Sequence, residues 1–375
     1  MTSLELLERL RSEGTIEGQA ERILLEVAES AGRIDWLDRA EGWIAKLPDP
    51  LRLQLELDSL DQRSRMGILS EARMDQIMSA ATRDGEALRA VANWMLASRL
   101  DSLLLDWVET WEAPLLNDPR NAQIAIRVLD RKEAYAKVYS LLRDQVWPDK
   151  EYMRYAFLAH AEDHLMADNR TVANPWWDRA IQHAAEWPNR FPNLALQFQQ
   201  WEQWDMLERL LSKASDPVRK SPAFDRFEFT VLEKQGKTQE LLARFEEKLE
   251  QFPENPVLKN NVAALGILVN PEHPQYHELA GTNFEQFPGN PDVAATWASS
   301  RVDVEPARVR QTLEPLLKRF PTHPGLIFYF GEAHRVEGLE NPMLPFCEEL
   351  IASERLFPEE LQRLQEWKGT LVSAR

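Results

Sequence analysis

One two-residue phrase recurs in the last third of this chain and constrains what the rest can fold into. Phe-Pro stands at Phe252-Pro253, Phe287-Pro288, Phe320-Pro321 and Phe357-Pro358, which spaces its prolines 35, 33 and 37 residues apart. A spacing of about 34 is the period of a repeated helix pair. Proline disfavours the helical region for the residue before it, so each Phe closes a helix. A second proline follows within a few residues, at Pro256, Pro291 and Pro324. Proline suits the first helical position, because the N–H it lacks would be unpaired there. Asn255 and Asn290 precede two of these prolines, and Asn is a good N-cap. The same start signal recurs at Asp49-Pro50, Asp118-Pro119, Asn174-Pro175, Asp216-Pro217, Ser221-Pro222, Asn270-Pro271 and Asn341-Pro342. Prolines here punctuate helices.

The runs between them are amphipathic. From Thr238 to Phe252 the apolar residues are Leu241, Leu242, Phe245, Leu249 and Phe252; from Glu305 to Phe320 they are Val309, Leu313, Leu316, Leu317 and Phe320. Steps of three and four put each set on one stripe. One helix cannot bury such a stripe alone, and stacked pairs can. Each Phe is expected to pack on its own helix and the next.

Helical runs of this kind fill the whole chain. Ser3–Ser12, Ile16–Ser30 and Ile34–Leu47 come first, with Gly14 and Gly32 between them. A leucine-rich run follows from 50 to 65, then a Trp-rich middle. No sustained two-residue alternation and no Asn-Gly or Asp-Gly turn signals strands. The expected organisation is N-terminal helices over 1–65 as a capping or docking region, a repeat solenoid over 66–357, and a C-terminal capping helix over 358–375. The softest breaks lie near Arg65 and within Ser212–Ser221.

From about residue 220 to 357 the pattern resembles the tetratricopeptide repeat, a two-helix unit. Pro321 stands where that repeat ends in proline. Phe330-Gly331 occupies its Leu-Gly site, and Gly338 and Gly236 its inter-helix turn. Val257–Leu265 reads as a first helix. The unit from Pro291 departs from the pattern, with Ala298 for the first glycine and Glu305 for the second. The resemblance implies an all-α, right-handed superhelical solenoid of antiparallel helix pairs, about nine in number. It also implies a concave groove lined by first helices. By position those residues are Arg226, Thr230 and Glu233, then Asn260 and Ala264, then Ser299, then Phe328, Glu332 and Arg335. Asn260 and Asn261 suit an extended peptide backbone. The family's carboxylate-binding form needs several Lys and Asn in register, and only Asn260 or Asn261 and Arg335 are present.

Charge and composition narrow the partners. The formal net charge is −17, which disfavours a nucleic-acid backbone and suits a basic peptide or a plain soluble surface. Cys347 is the only cysteine, so no internal disulfide forms, and it reads as a buried thiol. The N-terminus lacks the form of a signal peptide. The longest uncharged apolar segment noticed, Asn260–Pro271, is too short to insert in a membrane. Asn169-Arg-Thr171 fits a glycosylation sequon, which is meaningless without secretion. The expected compartment is the cytoplasm. Homo-oligomers would form through the terminal helices, where Leu4, Leu7 and Leu10 at one end and Leu361, Leu364 and Trp367 at the other offer apolar faces; otherwise the chain is a monomer.

Chemistry-bearing groups are sparse. His160-Ala-Glu-Asp-His164 puts two His one turn apart, a spacing that can bind zinc, with His183 as a conceivable third ligand. Ala161 stands where a zinc protease needs Glu, so the segment is read as a polar face with Glu162 and Asp163 solvated, and no metal or cofactor is expected. His273 and His277 flank Pro274 and read as a helix start. Thirteen tryptophans are mostly core. Trp176-Trp177 is the exception, since neighbouring helical residues point about 100° apart and both are hard to bury; the pair is a candidate partner surface. The reading is a non-catalytic scaffold or adaptor that binds a protein or peptide in the groove. Two alternatives stay open: an all-α toroid glycoside hydrolase or other sugar-binding protein, and a structural subunit of a larger assembly.

Overall fold

In the computed structural model, residues 18–48, 51–69, 71–166, 175–353 and 355–373 are described, with backbone alone for 368–373. The expected helix Ser3–Ser12 with Leu4, Leu7 and Leu10, and the sequon at Asn169, lie outside the described residues. Every regular element among those described is helical. The fold is all-α, a series of antiparallel helix pairs with a tetratricopeptide-like period. It forms two compact units, residues 1–183 and 184–375.

The first unit begins with α1 (Gln19–Ala31), α2 (Ile34–Ile44), α3 (Leu51–Arg65), α4 (Glu71–Ala81), α5 (Gly85–Ala97) and α6 (Asp101–Glu109). It continues with a single turn, α7 (Ala113–Leu116), then α8 (Pro119–Arg131), α9 (Tyr135–Leu142) and α10 (Glu151–Leu165). Among the described residues, its core includes two clusters in the N-terminal part. Leu24, Leu25, Leu37, Ile44 and Leu55 join α1, α2 and the start of α3. Leu60, Met74, Val91, Met95, Trp107 and Val128 join α3 through α8. Helix α11 (Pro175–Ala184) runs to the boundary.

The second unit holds α12 (Phe191–Gln200), α13 (Trp204–Ser212), the short α14 (Asp216–Arg219), α15 (Pro222–Lys234) and α16 (Thr238–Gln251). Then come α17 (Pro256–Val269), α18 (Pro274–Gln286), α19 (Pro291–Ser299), α20 (Pro306–Arg319), α21 (Pro324–Val336), α22 (Cys347–Ala352) and α23 (Pro358–Ser373). First helices pack side by side, α17 on α19 and α19 on α21.

The punctuation works at three of the four Phe-Pro phrases; the fourth, Phe357-Pro358, opens α23 instead of closing a helix, and the helix expected from Asn270-Pro271 begins only at Pro274. Phe252, Phe287 and Phe320 take φ of −133°, −132° and −128°, non-helical values imposed by the following proline. Asn255 Oδ1 accepts from Val257 N at 3.0 Å, and Asn290 Oδ1 from Asp292 N at 2.9 Å. The Phe rings differ from expectation. Phe320 packs in the core, but Phe252 is 57% exposed and Phe287 42%. Ending a helix and filling a core are separate jobs.

One backbone turn recurs where residue types do not. The amides of Arg33, Ile68, Leu100, Ala134, Gln203, Lys237 and Leu339 each donate to the carbonyl five residues back, at 2.8–2.9 Å. This is the Schellman helix end. The residue before each donor has positive φ: Gly32, Gly67, Arg99, Glu133, Glu202, Gly236 and Gly338. Successive donors lie about 34 residues, or a multiple of about 34, apart. The repeat therefore runs through both units, including stretches where the sequence shows no Phe-Pro.

Candidate functional site

The faces of α15, α17, α19 and α21 in the second unit enclose a cleft of about 330 Å³. Four of the residues expected to line a groove are on its wall: Glu233, Asn260, Ala264 and Ser299. The amide oxygen Oδ1 of Asn260 is buried there without a hydrogen-bond partner among the described residues. A buried acceptor left unmet is costly, so this oxygen is suited to a donor brought by a ligand.

The cleft also holds residues the sequence reading missed. His323 caps α21, accepting at Nδ1 from Leu326 N at 3.3 Å, while its Nε2 lies 3.0 Å from Asp292 Oδ1. That hydrogen bond holds the Asp292 carboxyl below the usual carboxylate range. Asp292 and His323 sit 31 residues apart, each near the start of a first helix, so repeat register could have paired them. Arg355 and Glu360 come from the C-terminal segment. Nothing in the repeat pattern places that segment in the groove.

Other expected residues sit elsewhere. Arg226 lies over the Phe227 ring at 4.7 Å, and Thr230 Oγ1 donates back to Arg226 O. Asn261 is half-buried outside the cleft lining. Phe328 and Glu332 are fully buried, because α23 covers them. Trp367 stacks on Phe328 at 5.4 Å and donates from its indole N–H to Glu332. Arg335 clamps the same carboxylate at 2.9 Å. In this conformation Phe328 and Glu332 form the seat of α23 rather than an open groove floor.

The aromatic pair separates as helix geometry requires. Trp177 is 3% exposed and donates to Asp163 Oδ2 at 2.8 Å, so it is core and not a surface presented to a partner. Trp176 is half-buried, stacked on Tyr155 at 5.6 Å, with the Arg179 guanidinium 4.8 Å above it.

The histidine pair is split, with His160 buried and His164 exposed. His160 is buried, edge-on to Tyr135 and to His164, and His164 stacks on Tyr135 at 4.1 Å. Burial, then the neighbouring His164 charge, push the His160 pKa down to about 3. No group of three metal-ligating side chains occurs among the described residues. Cys347 is buried among Leu350, Leu364 and Trp367. No helix among the described residues is long and apolar enough to cross a membrane.

The first unit has a wider cleft, about 540 Å³, lined by Gln54, Asp58, Asp61, Ser64, Trp94 and Ser98 among others. The Trp94 indole N–H has no hydrogen-bond partner among the described residues. Asp61 is paired with Arg65 at 2.9 Å.

No protein-family description matches the chain, and no curated protein does. Solved structures that resemble it include a human IFIT1 dimer with m7Gppp-AAAA, at 14% identity over 94% of this chain and 95% of that one, TM-score 0.30. Yeast Tom70 is 13% identical over 99% and 92%, TM-score 0.33. The APC/C hetero-tetramer Cut9-Hcn1 is 10% identical over 98% and 79%, TM-score 0.32. Likeness at this level carries no function across to this chain.

Proposed function

We propose that the second unit is a non-catalytic binding module for a protein or peptide, and that its recognition surface is the cleft between α15, α17, α19 and α21. The observation that carries this is the buried, unpartnered Asn260 oxygen on the wall of a cleft built from successive first helices. An amide donor of a bound chain meets that acceptor. Glu233, Thr296 and Ser299 supply further polar contacts, and the His323–Asp292 pair fixes one rim. This makes the chain a scaffold or adaptor, monomeric or assembled through its ends. A cytoplasmic setting suits the lone buried thiol, Cys347.

A capture experiment from native lysate tests it. Wild type, Asn260→Arg and Lys318→Ala are immobilised in parallel; Lys318 is exposed on α20, away from the cleft. The expected result is a discrete protein held by wild type and Lys318→Ala, with about tenfold weaker retention by Asn260→Arg. Equal retention by all three places the partner elsewhere and overturns the assignment.

A sugar-binding reading is favoured by one observation, the Trp94 indole N–H, without a partner among the described residues, beside Asp58 and Asp61 in the first unit's cleft. A glycan array separates the two: oligosaccharide binding abolished by Trp94→Ala supports the sugar site, and no glycan signal removes it.

A further inference from the structure

Helix α23 does more than cap the last hairpin. In a repeat array each pair touches its neighbours, so a cap should contact only the final pair. Instead α23 spans from the turn of the α15–α16 hairpin to α21. Thr238 Oγ1 donates to Glu359 Oε2 at 3.1 Å, across 121 residues of sequence. Pro358 rests on Gly236, where an added Cβ would lie 2.9 Å from its ring. Phe357 packs with Leu232, Leu241 and Val262. At the other end Trp367 covers Gly331, and any side chain at 331 would collide with the indole. Leu364 and Trp367 join the cluster of Trp297, Leu326 and Phe328.

On α23 the buried positions read Glu360, Leu364 and Trp367, a spacing of i, i+4 and i+7, with Leu356 buried just before the helix begins. Between them Gln362, Gln365 and Glu366 face solvent. This is how an amphipathic helix lies in a groove when one chain binds another. The helix also caps itself: Glu360 Oε2 accepts from Phe357 N at 3.0 Å, the reach-back bond of a capping box.

One anchor is a poor choice for a permanent core. Glu360 brings a carboxyl into a site where it is buried against Tyr329, to which it is bonded at 2.7 Å. Desolvation raises its pKa, so docking at neutral pH opposes its ionisation. An amide in its place would keep the hydrogen-bonding capacity without that cost. The internal helix is thus a built but imperfect ligand.

We propose that α23 is a displaceable occupant of the groove, and that the external partner is an amphipathic helix with a neutral polar anchor, a leucine and a tryptophan spaced like Glu360, Leu364 and Trp367. This rests on the binding reading above and names the class of its partner. Binding then requires release of α23, so the free chain is self-masked. The Asn260 cleft stays open beside the docked helix, so a short segment engages it first.

A synthetic, fluorescently labelled peptide of residues 355–373, in a form with Gln at the 360 position, is titrated into the full chain and into its Trp367→Ala variant. The expected result is saturable binding to Trp367→Ala at least about tenfold tighter than to wild type, whose own helix competes. Equal affinity for both, or binding to neither by a folded variant, overturns the proposal. If the variant does not fold, amide hydrogen exchange on the wild-type chain decides. Release requires the amides of 360–367 to exchange together, at least about tenfold faster than those of α19 and α21. Matching protection makes α23 a fixed part of the core, and the proposal fails. The capture experiment with Asn260→Arg is unaffected by that outcome, so the binding reading stands or falls separately.

Discussion

The middle of the chain and its two ends solve the same geometric problem with different residues. Toward the ends the turns before Arg33, Ile68, Lys237 and Leu339 carry Gly32, Gly67, Gly236 and Gly338 at φ of 63°, 68°, 65° and 70°. In the middle the turns before Leu100, Ala134 and Gln203 carry Arg99, Glu133 and Glu202 at 60°, 57° and 56°. Both sets close with the same amide-to-carbonyl bond. Glycine enters this region freely, and other residues at a cost of about 1–2 kcal/mol. The period is therefore a property of backbone hydrogen bonding, enforced by packing, and glycine marks it only where the chain spends no strain on it. A second contrast lies in the large tryptophans. Trp147 is buried within the first unit, whereas Trp367 is buried by a helix that closes over its seat.

Four measurements test these contrasts. The largest effect is expected at the tryptophans. Trp147→Ala should destabilise the first unit by about 3–5 kcal/mol in urea unfolding. Trp367→Ala should cost the second unit clearly less, because α23 can leave without unfolding its seat. Comparable losses would contradict a separable α23.

The next contrast concerns acid. His160 is held neutral, with a pKa of about 3, by burial. Its unfolded value is about 6.5, so the unfolded chain binds the extra proton, and stability falls as pH drops through that window. Between pH 7 and 5 this removes about 2 kcal/mol from the first unit, and His160→Gln should abolish most of the loss. Glu360 acts with the opposite sign. Its docked pKa is raised by burial, with Tyr329, Glu359 and Arg363 as neighbours. Docking is favoured at low pH and weakens as pH rises through the docked value, so α23 should gain protection while the first unit loses it. Segment-resolved hydrogen exchange at pH 5 and pH 7, corrected for intrinsic rates, checks both signs at once, and Glu360→Gln should flatten only the second.

Smaller effects belong to the turns. Gly236→Ala should cost about 1–2 kcal/mol from its positive φ, before any clash with Pro358. The mirror substitutions Arg99→Gly and Glu133→Gly should gain up to about 1 kcal/mol, because they relieve the same strain. Midpoints of urea unfolding decide, and losses at Arg99 and Glu133 would show that those side chains contribute more by contact than they cost in backbone. Smallest is the cap: Asn290→Ala should cost about 1 kcal/mol, read as local fraying of α19.

Much of the fold was legible because it rests on local rules. Proline and asparagine set many of the helix starts, and Phe-Pro set the ends at Phe252, Phe287 and Phe320 but not at Phe357, where it opens α23. Legibility faded between about residues 70 and 220 because the turns there are held by packing around Arg99, Glu133 and Glu202 and not by a recognisable residue. The site was half legible. Glu233, Asn260, Ala264 and Ser299 follow from the face of a first helix, so repeat register finds them. Phe328 and Glu332 follow from the same register, but what lies on them does not. The docking of Pro358 on Gly236 and of Trp367 on Gly331 is a contact between distant segments. No period or propensity encodes it. Trp177 departs from the sequence expectation for a simpler reason: one hydrogen bond to Asp163 lets a second indole enter the core.

The lone sulfur in the chain has a practical consequence. Cys347 is buried in the same apolar cluster as Leu364 and Trp367. Any event that lifts α23 away thins the cover over a single thiol, with no other cysteine to confuse the signal. The rate at which that sulfur meets an alkylating reagent is then a clock for the opening of the groove, readable by mass on the unlabelled native chain, and a partner helix that holds the groove occupied should reset its pace.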